Sequence, residues 1–401
     1  MTRWVLYDDG GGRFTPMTDL RSFAEVRTGA LTALERFTRW WGAPQAVVVP
    51  GPLEALAAER GVPTLVRAND ETPLHVVNAR WRGARPEVWP EPGEAWHDSE
   101  GAVVAASITP QALLELVKHG ELPAHVRRVE APGRLYRRPW EVLDDLPDRL
   151  AEDLELLHPV HPESGESSGA RRDDVVGGHR VVVDPTVKLG CGVVLDATEG
   201  PISIAAGASV GHGSVLHGPL RLGAGSVVAD RTQLKANTVI GPVCKVGGEI
   251  GATIFQGHAN KVHDGHLGDS WIGEWVNFGA GTTNSNLLNT YGEVSMRLEP
   301  EGPSERSGRT AMGCLVGDHV KFAILVRIMT GSTFGTGSMV AVTDPPRSVG
   351  RFRWLTDRGD ASYRLDRFLE VMGTAQSRRG VSAGPAYLAR LEALHAAGRT
   401  G

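Results

Sequence analysis

Residues 204–246 read IAAGASVGHGSVLHGPLRLGAGSVVADRTQLKANTVIGPVCKV, and an apolar side chain recurs at every sixth position. The recurring residues are Ile204, Val210, Leu216, Leu222, Val228, Leu234, Ile240 and Val246. An α-helix cannot keep a six-residue repeat on one face, and a long flat strand would alternate with period two. Short strands joined by tight corners keep such a repeat, because each step between corners places one residue inward. The spacing therefore predicts a hexapeptide β-helix.

The same period continues on both sides of this stretch. It is found before residue 204 and again beyond residue 313, at Val183, Leu189, Leu195, Val316, Phe322, Ile328, Phe334 and Val340. Each inward side chain should contribute roughly 1.5–3 kcal/mol when the next coil covers it. A glycine-rich sandwich is the alternative, and eight consecutive residues at one spacing argue against it. We predict the β-helix over residues 176–347 and a helical tail over residues 348–401.

Residues 1–160 show another pattern, in which short apolar runs alternate with helical stretches. Predicted strands are Trp4–Tyr7, Ala46–Val49, Thr64–Val66, His75–Val77 and Ala102–Ala106; predicted helices are Ser22–Trp41, Pro52–Arg60, Thr109–His119 and Arg138–Leu157, with Tyr363–Met372 and Ala386–Ala397 in the tail. Alternation of this kind predicts an α/β domain with a mostly parallel sheet. Residues 161–175 are the predicted linker, because they begin with the polar run HPESGESSGARRD.

Composition excludes several classes of function. The 401 residues carry a net charge of −5 without a basic block, which argues against a nucleic-acid or membrane-surface partner. Cys191, Cys244 and Cys314 are too far apart for a disulfide framework or a zinc site, so a cytoplasmic location fits best. The N-terminus does not resemble a signal peptide, and the chain has no run of 18 apolar residues.

The densest group of polar side chains lies in residues 250–292. His258, His263 and His266 fall within nine residues there, and a run rich in Asn and Thr follows Gly281. We interpret this stretch as the active site. A metal site built from the three histidines is one alternative, although no helix aligns their spacing. Histidines that only satisfy turns, and amides that only cap strand ends, are the others.

Residues 263–292, HDGHLGDSWIGEWVNFGAGTTNSNLLNTYG, resemble the acetyltransferase domain of the bifunctional UDP-N-acetylglucosamine diphosphorylase/glucosamine-1-phosphate N-acetyltransferase family. The whole chain is most similar to a variant bacterial branch of sugar nucleotidyltransferases with a hexapeptide-repeat domain. The resemblance implies a left-handed β-helix, acetyl-CoA as cosubstrate and glucosamine-1-phosphate as acceptor. It also implies a homotrimer with coenzyme sites between neighbouring β-helices. For the N-terminal domain it implies UTP and Mg²⁺.

The resemblance assigns roles to individual residues. The family's catalytic histidine lies four residues before a Leu-Gly-Asp, which makes His263 the general base here. Asn277 matches an asparagine near the sugar phosphate or the oxyanion, and Asn286 matches one on the acetyl-CoA side. His266 stands where the family has tyrosine, so the acceptor contacts are expected to differ. The further candidates are Lys261, His266 and Asn286 for the substrate, and Asn284 and Asn286 for the coenzyme. Asp318, His319 and Lys321 are also coenzyme candidates, because a stacked coil would bring the resumed repeat near residues 263–286; a plain corner of the β-helix is the alternative.

Acetyl transfer suits these residue types. A histidine with its usual pKa of about 6.5 can take a proton from an amine near neutral pH. A positioned base contributes roughly 10²–10⁴-fold in rate. Amide donors such as that of Asn277 can stabilise the oxyanion of the tetrahedral intermediate.

The N-terminal domain lacks the signature of the nucleotidyltransferase domains that it resembles, Gly-x-Gly-Thr-x-Met followed by Pro-Lys. Its first strand is followed by DDGGGR, residues 8–13, whose glycines could approach phosphates or form a flexible turn. The phosphate-binding candidates are Arg13, Arg21 and Arg27, with Arg27 alternatively in a structural ion pair. Asn78 is a further substrate-binding candidate, because it follows the fourth predicted strand, where open α/β sheets place ligands. Asp8 or Asp9 would hold Mg²⁺. A second hypothesis is therefore a binding or assembly protein in which one or both halves are inactive.

Overall fold

The computed structural model describes residues 3–64, 71–130, 134–159 and 174–398. The predicted linker as far as residue 173, and the predicted strand Thr64–Val66 after Thr64, lie outside these ranges. Within the described ranges, no helix combines the length and the apolar character that crossing a membrane requires.

The N-terminal domain is built on a six-stranded sheet of order β2-β1-β3-β6-β5-β7. Its strands are β1 (Trp4–Tyr7), β2 (Ala46–Val48), β3 (Leu74–Asn78), β5 (Glu94–His97), β6 (Val103–Ile108) and β7 (Arg127–Glu130), and β4 (Trp81–Arg82) pairs separately with β8 (Arg134–Leu135). Only β6 runs against the other five strands, so the mostly parallel sheet is confirmed. Strands β5 and β7 were not predicted.

In the described part of this domain, five helices accompany the sheet: α1 (Ala33–Trp41), α2 (Gly51–Glu59), α3 (Pro110–His119), α4 (Pro139–Asp144) and α5 (Leu146–Leu157). The predicted helix from Ser22 is wrong over its first part, where only a 3₁₀ turn forms at Phe23–Glu25. Helix α1 begins later because Thr32 and Glu35 form a capping box. Gly29 lies against α5, where an added Cβ would come within 2.4 Å of an Asp153 carboxylate oxygen.

As predicted, the C-terminal domain is a parallel β-helix, and its six-residue repeat is consistent with left-handed coiling. Its strands form three faces. Face 1 has nine strands: Val181–Val183, Ile202–Ile204, Leu220–Leu222, Thr238–Ile240, Ile254–Phe255, Trp271–Ile272, Cys314–Val316, Ser332–Phe334 and Ser348–Val349. Face 2 has Lys188–Leu189, Ser209–Val210, Val227–Val228, Lys245–Val246, Asn260–Lys261, Lys321–Phe322, Met339–Ala341 and Arg353–Thr356, the last forming a hairpin with Gly359–Ser362. Face 3 has Val175–Gly177, Val194–Ala197, Val215–His217, Gln233–Leu234, Glu249–Gly251, His266–Gly268, Thr283–Asn284 and Arg327–Ile328. The β-helix therefore continues beyond residue 347.

The repeat positions form the core of this domain. Of the predicted inward residues, all except Leu189 are buried. Leu189 is partly exposed because, among the described residues, its strand Lys188–Leu189 is at the end of face 2 and pairs with a neighbour on one side only.

An insertion at residues 287–312 interrupts the coils and carries the hairpin Ser295–Arg297/Ser304–Arg306. Glu305 in this hairpin pairs with Arg13 and Arg138 of the N-terminal domain. Arg309 reaches Asp144 in α4 at 2.6 Å. The insertion thus fastens the two domains together, which the break in the repeat did not reveal.

Two helices follow the last coil, α6 (Leu365–Ser377) and α7 (Pro385–Ala397), close to the two predicted. They pack beside the N-terminal domain and share one hydrophobic core with it and with the β-helix. That core contains Trp4, Trp271, Phe352 and Phe368, so the domains are not joined by a linker alone.

Candidate active site

Outward-facing side chains of face 2 line a cavity of about 600 Å³. Lys245, Asn260, Asn277 and Lys321 follow one another in register on successive coils, so their side chains form one column. His263 lies beside this column, at the corner after the strand Asn260–Lys261. The structure therefore brings together three residues that the sequence singled out, His263, Asn277 and Lys321.

His263 is exposed, and its imidazole has no hydrogen-bond partner in the part of the chain described. Asn277 is partly exposed, and its side-chain amide is likewise without a partner there. Both groups are available to a ligand in the cavity. This arrangement permits proton transfer to His263 and hydrogen bonding from Asn277 at one place.

Lys261 does not line the cavity. It pairs with Val246 in the register of face 2, which turns its side chain inward. Its Nζ donates to the carbonyls of Gly247, at 3.2 Å, and His263, at 2.5 Å. Burial lowers the pKa of this amine to about 8. Lys261 therefore supports the His263 corner from inside the coil, and its predicted contact with substrate has no support in this geometry.

Lys321 faces the cavity and is largely buried. Its Nζ donates to the carbonyl of Trp275 at 2.5 Å. Burial lowers the pKa of this amine to about 8. Near neutral pH it remains mostly protonated and offers a poorly solvated positive charge next to Asn277.

The end of α6 closes one side of the cavity, and sequence reasoning missed this contribution. Arg378 and Arg379 follow the helix and line the cavity with Ala375. Arg379 donates through Nη2 to Asn260 Oδ1 at 2.7 Å and through Nη1 to the carbonyl of Val243 at 3.2 Å. The only signal in the sequence was a pair of arginines after a helix that had no assigned role.

Two of the other candidates lie away from this cavity, on face 3. His266 faces outward there; its Nε2 lies 4.0 Å from Glu249 Oε1 and its Nδ1 lies 3.2 Å from the carbonyl of Asn284. Asn284 points into the coil, where Oδ1 accepts from the amide of Gly268 at 2.9 Å. Its Nδ2 donates to the Gly268 carbonyl at 2.9 Å and to Ser270 Oγ at 3.1 Å. The buried amide of Asn284 is satisfied by the coil itself.

Asn286 lies where the insertion leaves the β-helix. Its Nδ2 donates to Asp269 Oδ2 at 2.6 Å, and Asp269 also pairs with Arg309 at 3.1 Å. In the single chain this amide is part of the attachment of the insertion and does not line the cavity of His263.

Asp318 and His319 lie in the interface between the β-helix, the N-terminal domain and α7. Asp318 accepts from Arg21 at 3.0 Å, and burial raises the pKa of its carboxyl group to about 6. His319 Nε2 lies 2.6 Å from the hydroxyl of Tyr387, and burial holds the imidazole pKa well below its usual value. Both side chains are fully enclosed, so this geometry gives no support to their predicted contact with coenzyme.

The three histidines do not converge on a metal. His258 stacks on Trp275 with ring centroids 4.3 Å apart, His263 faces the cavity, and His266 lies on face 3. Among the described residues, no group of three or more His, Cys, Asp or Glu side chains is placed to hold a metal ion.

A smaller cleft of about 260 Å³ lies in the N-terminal domain between Gly10–Arg13, the insertion and Arg390 of α7. Of the predicted arginines, only Arg13 lines it, and Arg13 is paired with Glu305. Arg21 is buried between Asp318 and Glu274. Arg27, which is not on a helix, pairs with Glu35 at 3.4 Å, and its amide donates to Gln256 at 2.8 Å.

Asn78, Arg80 and Asp9 form a closed group at the carboxyl ends of the strands. Asn78 Nδ2 donates to Asp9 Oδ2 and to the Val103 carbonyl, both at 2.9 Å. Arg80 binds both oxygens of Asp9. The amide of Gly11 also donates to Asp9, at 2.9 Å.

Asp8 is equally occupied, because its two oxygens accept from the amides of Gly10 at 3.0 Å and Phe23 at 2.6 Å. Burial raises the pKa of this carboxyl group to about 6. Mg²⁺ needs carboxylate oxygens that are free to coordinate it, whereas these oxygens already accept hydrogen bonds from groups of the same domain. Asp8 and Asp9 therefore do not form a magnesium site in this conformation.

Comparison with known proteins finds one matching family model and several bifunctional relatives. Residues 4–160 match a family model described as sugar nucleotidyl transferase. The predicted resemblance of the chain to the bifunctional enzymes is confirmed by its similarity to proteins that carry that name.

One such relative is a bifunctional sugar-1-phosphate nucleotidylyltransferase/acetyltransferase of Sulfurisphaera tokodaii, 31% identical over 124 residues, which are 30% of this chain and 30% of that protein. Another is the bifunctional protein GlmU of Prochlorococcus marinus, 29% identical over 199 residues, which are 47% of this chain and 41% of that protein. The bifunctional protein GlmU of Gloeobacter violaceus is 36% identical over 115 residues, 28% of this chain and 24% of that protein. The chain thus spans less than half the length of each of these relatives.

Proposed function

We propose that the β-helix domain transfers an acetyl group from acetyl-CoA to the amine of an amino-sugar phosphate, with glucosamine-1-phosphate as the acceptor. The observation that carries this proposal is the single cavity shared by His263, Asn277 and Lys321. The relative from Sulfurisphaera tokodaii, which is named a nucleotidylyltransferase/acetyltransferase, supports the reaction class.

The proposed reaction gives each of these groups one role. The acceptor nitrogen attacks the thioester carbonyl carbon while His263 takes a proton from that nitrogen. The amide N–C bond forms, the C–S bond breaks, and the coenzyme leaves as a thiolate that regains a proton. Asn277 donates to the oxyanion or holds the acceptor beside it. Lys245 and Lys321 supply positive charge for phosphate oxygens.

The test is thiol release from acetyl-CoA in the presence of glucosamine-1-phosphate. The variant His263→Ala should lose at least about a hundredfold in rate, within the range for removal of a positioned base. His217→Ala is the matched control, because His217 pairs with Asp196 on face 3, away from the cavity. A folded wild-type protein that releases no thiol with this or other amino-sugar phosphates would refute the proposal.

Nucleotidyl transfer by the N-terminal domain is a second candidate, favoured by the match of residues 4–160 to the sugar nucleotidyl transferase model. The product would be a UDP-sugar formed from UTP and the sugar-1-phosphate. Pyrophosphate release from UTP that is unchanged in His263→Ala and lost in Arg13→Gln would establish it. Absence of that release, together with intact thiol release, would leave the N-terminal domain a binding or assembly module.

We further propose a cytoplasmic homotrimer with coenzyme sites between neighbouring β-helices. The exposed ring of His263 and the open cavity of the single chain support a site that a second copy completes. A monomer by light scattering at micromolar concentration would contradict the trimer.

A further inference from the structure

The cavity at His263 differs in charge from the other clefts near the candidate sites. Four of its lining residues are cationic, Lys245, Lys321, Arg378 and Arg379, and none carries a carboxylate. The cleft at Gly10–Arg13 includes Asp8 and Glu299 in its lining. Because the chain as a whole has a net charge of −5, this local excess of positive charge is a property of the cavity itself.

The arginines at the end of α6 are held in place by the fold. Phe368 and Met372 bury one side of the helix, and Gly380, with a φ of +67°, turns the chain away directly afterwards. Two hydrogen bonds, to Asn260 and to the carbonyl of Val243, orient the guanidinium of Arg379. The side chain is therefore fixed before any ligand arrives.

Arg379 keeps part of its binding capacity. A guanidinium has five N–H donors, and two of those of Arg379 are engaged within the described residues. Arg378 is exposed beside it. Planar guanidinium donors match the geometry of phosphate oxygens, with which they form bidentate contacts.

We propose that Arg379, assisted by Arg378, is a phosphate-binding residue of the acyltransferase cavity, so that the C-terminal helix determines the choice of substrate. This inference rests on the proposed function of the cavity. The phosphate can belong to the acyl acceptor or to the coenzyme, because both are phosphorylated. The β-helix motifs contain neither arginine, so the contribution comes from the docking of α6 alone.

The experiment is isothermal titration with four probes: glucosamine-1-phosphate, glucosamine, CoA and 3′-dephospho-CoA. Arg379→Gln should weaken binding of the phosphate-bearing partner at least tenfold. Arg379→Lys should recover only part of that loss, because it restores the charge and not the planar fork. Arg367→Gln, on the exposed side of the same helix, is the matched control and should bind like wild type.

The pattern of losses identifies the source of the phosphate. A loss for glucosamine-1-phosphate but not glucosamine indicates the acceptor, and a loss for CoA that is smaller for 3′-dephospho-CoA indicates the coenzyme. Unchanged affinity for both phosphorylated probes would overturn the proposal, as would a wild-type protein that binds neither at millimolar concentration. If Arg379→Gln does not fold, Arg378→Gln is the deciding variant, and its affinity for the phosphate-bearing probe should fall about threefold. Binding requires no turnover, so failure of acetyl transfer is a separate result.

Discussion

Replacing Arg21 with methionine should destabilise the whole protein without affecting ligand binding directly. The Arg21 guanidinium is 3% exposed and lies 3.0 Å from both Asp318 and Glu274. The variant leaves two carboxylates near the interface without their counter-charge. Removing one partner of a buried ion pair costs about 3–5 kcal/mol.

This cost can be converted into a melting temperature. The domains share one core, so the chain is expected to unfold as a unit. With about 2.1 cal/mol/K of unfolding entropy per residue over 401 residues, the melting temperature should fall by about 4–6 °C. Arg39→Met is the control, because Arg39 is on the exposed side of α1.

The loss should also depend on pH. Burial raises the pKa of the Asp318 carboxyl group to about 6 with Arg21 present, and removing Arg21 takes away its main counter-charge. A carboxyl group whose folded pKa is raised favours folding below its unfolded pKa of about 3.8, and this contribution is lost as pH rises through the folded value. The difference between wild type and variant should therefore be larger at pH 7 than at pH 5.

The assay is thermal unfolding followed by circular dichroism at both pH values, with titration of CoA and UTP at pH 7. A melting temperature within 1 °C of wild type, together with weaker binding of either ligand, would refute the structural role. That result would return Arg21 to the phosphate-binding role predicted from the sequence.

Three other changes test the remaining assignments. Asn284→Ala should lower the free energy of unfolding in urea by about 2–3 kcal/mol, because it leaves the N–H and C=O groups of Gly268 without a partner side chain. The KM for acetyl-CoA should change less than twofold, and a large KM change with normal stability would contradict the assignment. Between pH 8 and pH 10, Lys321 keeps its proton in the unfolded chain and loses it in the folded protein. The free energy of unfolding of wild type should therefore rise with pH by up to about 3 kcal/mol relative to that of Lys321→Met, as measured by urea midpoints. A difference that does not change with pH would contradict the lowered pKa. Glu305→Ala should cost less than about 1 kcal/mol and strengthen UTP binding by freeing Arg13; unchanged affinity would show that this contact does not close the cleft.

Much of the fold could be predicted from the sequence, because the buried residues of a β-helix recur with a fixed period. Val210, Leu222 and Val246 occupy repeat positions, and each is buried where the period places it. The six-residue period does not identify the inward residue where a coil has a different length. Lys261 follows Val246 by fifteen residues and still pairs with it across one coil, which turns its side chain inward. Since neighbouring residues of a strand face opposite sides, a shift of one residue exchanges the interior for the surface.

Only part of the candidate site could be predicted from the sequence. His263 and Asn277 were assigned through a local motif, and they meet because successive coils stack in register. Arg27 and Arg21 were predicted to contact ligands. That prediction could not foresee their ion pairs, because a sequence does not show which carboxylate or backbone group will lie opposite an arginine. Those partners, Glu35 and Asp318, are supplied by the folded chain.

By itself, the sequence determined the two-domain architecture, the β-helix and the two residues proposed for catalysis, because period and motif are properties of neighbouring positions. Only the tertiary structure decided where the insertion and α6 dock. It placed Arg379 in the cavity, Glu305 on Arg13, and the donors of Arg80 and Gly11 on Asp9. These contacts join residues far apart in the chain, and their energy depends on packing and desolvation that no local pattern encodes.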